Sequence, residues 1–124
     1  RPENWTDISP GLALWTQKAN ALGWSLLLDG VATPPPSYAA PARATDVSNL
    51  PPTLSFCGDQ DVFLGENRIF FDRMRKAGCE VIFQEFEDTW HALEALNPTH
   101  ATARHINAWF LQEYARLLDR VTQT

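Results

Sequence analysis

No apolar run in this sequence approaches the length needed to cross a bilayer, and no signal-peptide pattern opens it, so neither a membrane span nor export is expected. Cysteine is nearly absent, with Cys57 and Cys79 the only two. Cys57 lies near the end of one predicted strand and Cys79 just before the next. In a parallel pair those positions are at opposite ends, and about four residues of strand at roughly 3.3 Å each put them beyond the reach of a disulfide. Two free thiols predict a reducing compartment and hence a cytoplasmic location. Basic residues are outnumbered, ten Lys and Arg against fifteen Asp and Glu, for a net charge of −5. That balance argues against a nucleic acid or an anionic membrane surface as partner. The chain opens at Arg1 with no Met, which leaves a processed piece or an internal start open. No internal repeat is present, and no low-complexity tract beyond Pro34–Pro36.

What is present is one domain's worth of chain or less, 124 residues with an ordinary 44% of hydrophobic residues. Five tryptophans imply large apolar contacts. Residues 1–10 read as irregular. A helix is predicted over Gly11–Leu28, with Leu12, Trp15, Ala19 and Leu22 on one face, a kink or restart at Gly23, and Gly30 ending it. Residues 31–52 hold six of the nine prolines, which forbids a helix or a central strand. Composition alone favours a linker here; Tyr38, the alanines and Leu50 argue instead for a packed crossing segment. Thr53–Cys57 reads as a buried strand stopped by Gly58. A helix follows from Leu64 to Ala77, with Glu66 at its start, Arg73, Arg75 and Lys76 in its last turn, and Gly78 stopping it. Its expected buried stripe is Ile69, Phe70, Met74 and Ala77, and its Arg68–Lys76 cluster is expected to be a solvated face. Glu80–Phe86 is a second strand. Asn97 as cap with Pro98 in the first position predicts a last helix over 97–121, with Ile106, Trp109, Phe110, Tyr114, Leu117, Leu118 and Val121 inward. The organisation is thus a helix and crossing loop over 1–52, a βαβ unit over 53–96, and a C-terminal helix.

The βαβ unit carries the chemistry. Its two strands, if neighbours, end about 4.8 Å apart. Asp61 follows one carboxyl end and His91 the other, at the edge where open α/β sheets build their sites. Such a carboxylate can hold one imidazole nitrogen while the other nitrogen takes a proton from a nucleophile. Acid then histidine, each after a strand, is the chain order of an α/β-hydrolase downstream of its serine. A plain reading also exists for each residue: Asp61 as a helix-start acid and His91 as a loop histidine. Asp59 and Glu66 read as turn and helix-start acids. Glu87 and Asp88 with His91 lack a fourth ligand for a metal. His100 and His105 read as structural or solvated. No cofactor or metal is expected.

The run PARATDVSNLPPTLSFCGDQDVFLGEN, followed by AGCEVIFQEF and WHAL, resembles the C-terminal part of hormone-sensitive-lipase-like esterases, which are α/β-hydrolase carboxylesterases. Leu50-Pro51-Pro52 is similar to that family's pre-strand loop, and Gly58-Asp59-Gln60-Asp61 to its acid turn. Ala19-Asn20-Ala21-Leu22-Gly23-Trp24 and Ser37-Tyr38-Ala39-Ala40-Pro41 are similar to its upstream helix and crossing loop. The resemblance implies Asp61 as catalytic acid, His91 as general base, and a small-molecule ester as substrate.

Two departures stand out. The family often has a glycine on each side of the histidine, whereas Trp90 and Ala92 flank it here. More important, the sequence holds no G-x-S-x-G elbow and no HGG-type oxyanion segment. Ser25, in a predicted helix, and Ser9 match neither. The expected fold is therefore the C-terminal portion of an α/β-hydrolase, a short parallel sheet flanked by helices without the nucleophile-bearing half. Two functions follow as expectations. One is the acid–histidine part of a serine ester hydrolase, inactive alone and completed by a nucleophile-bearing chain. The other is a non-catalytic, self-associating module, in which a dimer covers the strand edge left open.

Overall fold

The computed structural model describes residues 15–31 and 33–123. At its centre Thr53–Gly58 (β1) and Val81–Phe86 (β2) pair in parallel, in register from Thr53 opposite Val81 to Gly58 opposite Phe86. A parallel pair needs a long crossover, and the helix Leu64–Lys76 lies within it. The pleat sends alternate side chains to opposite faces. On one face Phe83 meets Phe71 at 4.8 Å between ring centroids, beside a buried cluster of Val47, Phe71 and Met74. On the other, Phe56 and Phe86 meet Trp109 edge-on at 6.5 and 5.5 Å. Trp109 belongs to the long helix Ala101–Thr122. The result is a helix–sheet–helix sandwich.

In chain order the helices are α1 (Gln17–Leu27), α2 (Leu64–Lys76), α3 (Leu93–Leu96) and α4 (Ala101–Thr122). None is long and apolar enough to cross a membrane among the described residues. Thr16 caps α1, its hydroxyl accepting from the Ala19 amide at 3.1 Å. The helix runs through Gly23 rather than restarting there. Leu12, placed on its face by the sequence, lies outside the described residues. No residue of α1 is buried, and Leu22 is 60% exposed, so the face that bears Ala19 and Leu22 is not a core face. Gly78 ends α2 with φ of 87°. The Cys79 amide reaches the Met74 carbonyl and the Gly78 amide the Arg75 carbonyl, the paired closure that a left-handed residue after a helix allows.

Several expectations are corrected. β1 runs one residue further, to Gly58, and β2 starts at Val81 rather than Glu80. Ile69 is 47% exposed and Ala77 is exposed, while Leu64, Phe71 and Met74 are the buried residues of α2. Of the expected stripe, Met74 is buried and Phe70 is half-buried against the same cluster, while Phe71 is the more deeply buried of the two rings because it packs on Phe83. The segment 31–52 packs instead of linking. Its buried residues are Ala40 and Val47, whereas Tyr38 is fully exposed. The basic cluster on α2 is not simply solvated. Arg73 donates to the carbonyls of Ala42 and Ala44 and Arg68 pairs with Glu85, so two of its guanidiniums fasten neighbouring elements.

The last helix starts at Ala101, not Asn97. Asn97 closes α3, and His100 is the cap, its Nδ1 accepting from the Thr102 amide at 3.3 Å. Asn-Pro looked like a helix start because Pro suits a first turn; here that proline sits in the turn between two helices. Along α4, Ile106 is fully buried and Leu117 nearly so. Tyr114, Leu118 and Val121, expected inward, are 44–51% exposed, and Leu111 is 65% exposed.

Candidate active site

Asp61 and His91 meet. His91 Nδ1 lies 2.9 Å from Asp61 Oδ2, and the two come from the loops that follow β1 and β2. Asp61 is 9% exposed. Its other oxygen, Oδ1, accepts the Phe63 amide at 3.0 Å, and its backbone carbonyl accepts the Leu64 amide. The acid therefore does two jobs at the start of α2. It satisfies an amide left open at a helix N-terminus and presents its second oxygen to the imidazole. The His91 side chain is one-third exposed, and its Nε2 makes no hydrogen bond among the described residues. With a carboxylate at Nδ1, the neutral ring carries its proton there and offers an unprotonated Nε2. A cavity of about 290 Å³ opens beside the pair, lined by Phe56, Gly58, Trp90, Ala92 and Glu94 among others.

The two loops are stitched together by groups the sequence did not single out. Asp59, read as a turn acid, accepts the Thr89 amide on Oδ1 at 3.0 Å. The Thr89 carbonyl accepts the Gln60 amide at 3.1 Å, and the Asp59 amide bonds to the Phe86 carbonyl. Thr89 is 1% exposed. Its backbone presses so close to Gly58 that a methyl group on Gly58 would sit 2.0 Å from the Thr89 oxygen. The sequence signal for this contact was a glycine at the end of a buried strand, where close backbone approach is a standing reason for glycine.

Glu87 and Asp88 do not join His91 in a metal site: among the described residues no three His, Cys, Asp or Glu are grouped to hold an ion. Asp88 and Ala92 both have positive φ, 50° and 62°. Asp tolerates that region; alanine does not, and the strain is on the order of 1–3 kcal/mol. Glycine would remove it at an entropic cost of roughly 0.5–1 kcal/mol. Ala92→Gly is therefore expected to stabilise the chain by on the order of 1 kcal/mol, read as a higher urea midpoint at unchanged slope. A lower midpoint would mean that the Ala92 methyl packs better than its backbone suffers.

Burial pushes the Cys57 thiol up to about 12, with the nearby Asp61 charge adding to it. Both cysteines are free. Cys79 is less buried and donates to the Val47 carbonyl. Since the thiolate is the nucleophile, native protein is expected to take one equivalent of iodoacetamide at Cys79 and the second only after denaturation. Equal labelling rates by peptide mass mapping would contradict this. Glu66, in the first turn of α2, is likewise raised, by burial and then by Asp61.

A family model described as alpha/beta hydrolase fold matches residues 3–95, a span that contains Asp61 and His91. The chain belongs to the α/β-hydrolase fold family. Within that family, esterase LipW from Mycobacterium marinum is 26% identical to it, with a TM-score of 0.79 over 85% of this chain and 33% of its own. A bacterial heroin esterase is 32% identical, with a TM-score of 0.65 over 69% of this chain and 27% of its own. An esterase from Pyrobaculum calidifontis, 16% identical, shares the fold, with a TM-score of 0.68 over 94% of this chain and 41% of its own. The chain thus spans between 27% and 41% of the length of these solved esterases. No curated protein matches it significantly. The expected hormone-sensitive-lipase-like resemblance and the fold agree with these matches.

Proposed function

We propose that this chain supplies the acid and base of a serine carboxylic-ester hydrolase, Asp61 as the catalytic acid and His91 as the general base. The 2.9 Å approach of His91 Nδ1 to a buried carboxylate, with Nε2 left open, carries the reading. Asp61 fixes the tautomer and orientation of the ring. Nε2 takes the proton of a serine hydroxyl as that oxygen attacks the ester carbonyl, and later returns it to the leaving alcohol. The serine and the oxyanion donors come from a G-x-S-x-G-bearing segment outside these 124 residues, so the chain by itself is expected to be inactive. The esterase relatives support a small-molecule ester as substrate, and the two free thiols support a reducing, cytoplasmic setting.

Co-expression with the nucleophile-bearing half of a related esterase, followed by an assay on a p-nitrophenyl ester, tests this. Turnover by the complex and none by either half is the expected result. A complex shown to be assembled by gel filtration and yet inert would count heavily against it.

A second reading, a non-catalytic and self-associating module, is favoured by the exposed stripe of Leu111, Tyr114, Leu118 and Val121 on α4. In that case light scattering at micromolar concentration gives a dimer, whereas a monodisperse monomer discards it.

A further inference from the structure

One residue touches both members of the acid–histidine pair. The Phe63 backbone amide donates to Asp61 Oδ1 at 3.0 Å. The Phe63 ring lies edge-on to the His91 imidazole, with centroids 5.4 Å apart and planes inclined at 63°. These contacts act on different degrees of freedom. The amide holds the carboxylate so that Oδ2 faces the imidazole. The hydrogen bond from Nδ1 to Oδ2 then fixes one point of the imidazole, but one point does not fix a plane. The outer torsion of a histidine side chain is broad and roughly two-fold. A full flip would turn a carbon toward the acid and is opposed by loss of the Asp61 bond, but a tilt bends Nδ1 off Oδ2 and swings Nε2 from its working position with nothing in that bond to stop it. The Phe63 ring supplies the second point. An edge-on aromatic pair has a preferred geometry, and an imidazole tilted about its outer torsion loses it.

We propose that the Phe63 side chain is a positioning residue for His91, holding the imidazole plane at the tilt that keeps Nδ1 on Asp61 and Nε2 toward the cavity. The inference rests on the acid–histidine reading above and adds to it a residue that acts through the histidine. Phe63 stands at the start of α2 and makes no side-chain capping bond, so the helix itself does not demand an aromatic there. The two contacts also separate cleanly by mutation. Any residue other than proline keeps the amide that holds Asp61, so a substitution at position 63 reports on the ring alone.

The test needs no turnover. Long-range proton–nitrogen NMR spectra of the labelled chain resolve the ring nitrogens of its three histidines, with His91 assigned by its own substitution. In the native chain His91 gives one protonated and one unprotonated nitrogen, with Nδ1 bearing the proton. Phe63→Ala frees the ring to tilt and weakens the Nδ1 bond to Asp61, and is expected to raise the population of the alternative tautomer by on the order of 3- to 10-fold, the value of an aromatic pair. Both His91 nitrogen signals then move toward their average. Phe63→Leu, which keeps apolar bulk should the alanine variant fail to fold, shifts the signals in the same direction, and Phe63→Tyr restores the native pattern. Unchanged His91 signals in folded Phe63→Ala or Phe63→Leu would overturn the proposal, as would a shift in Phe63→Tyr as large as that in the leucine variant. Asp61→Asn separates this from the wider reading. If that variant leaves the His91 tautomer untouched, the acid–histidine pair itself fails; if it shifts the tautomer while the Phe63 variants do not, only the role of Phe63 fails.

Discussion

Asp61→Asn is expected to lower kcat for ester hydrolysis by about 10⁴-fold in the complex with a nucleophile-bearing half, with little change in KM. The magnitude follows from proton placement rather than from lost structure. Asparagine is nearly the same shape as aspartate, and its oxygen can still accept the Phe63 amide now held by Oδ1. Its NH2 group then faces His91 Nδ1 across the present 2.9 Å contact. An amide that donates there forces the imidazole proton onto Nε2, and a protonated Nε2 cannot accept the proton of a serine hydroxyl. The fold should be unchanged by circular dichroism. A variant within tenfold of the native kcat would remove Asp61 from the reaction and leave it as a helix-start acid. His91→Ala should be at least as severe, since it removes the base itself.

Gly58→Ala carries the largest expected structural effect. Its new methyl group would lie 2.0 Å from the Thr89 oxygen, 2.6 Å from the carbonyl carbon and 2.8 Å from Cγ2. Two of the three are backbone, so no side-chain tip can swing away. Thr89 cannot retreat freely either. Its amide is held by Asp59, its carbonyl by the Gln60 amide, and its hydroxyl donates to the Glu87 carbonyl. The loop that bears His91 must shift and break some of these bonds. Overpacking of this kind costs on the order of 3 kcal/mol. For a chain of this size that is roughly a 10 °C fall in Tm. Whatever fraction stays folded should have His91 drawn off Asp61, visible in the same nitrogen signals and as lost turnover in the complex. Native stability in Gly58→Ala would mean that the strand end and the histidine loop are less tightly stitched than these contacts require.

Much of this was legible beforehand, for identifiable reasons. The βαβ unit could be read because its signals are local. Thr53–Cys57 is an apolar run closed by glycine, α2 carries acid at its start and base at its end, and Gly78 supplies the left-handed residue a helix end favours. Asp61 and His91 could be paired because a parallel register places two loops side by side. The errors lie where tertiary contact decides. Which of Phe70 and Phe71 is the deeper core residue depends on Phe83, and the roles of Arg73 and Arg68 depend on carbonyls and a carboxylate elsewhere in the chain. Asn97-Pro98 carries a good local start signal that belongs to a turn, because α3 is too short to show a periodicity. The clamp of Asp59 on Thr89 was invisible for the same reason: an acid in a turn looks the same whether or not a second loop lies against it.

The stitching between the two loops also bears on how chains of this fold diversify. Asp61, His91, the Phe63 contact and the Gly58–Thr89 junction all fall within the single contiguous stretch 53–96, bounded upstream by the proline-rich segment 31–52. On the proposed roles of Asp61 and His91, a genetic crossover between related hydrolases inside that segment would exchange the whole acid–histidine assembly as one cassette, with its internal tolerances intact. Specificity could then be reshuffled around it without the acid–base geometry having to be found again.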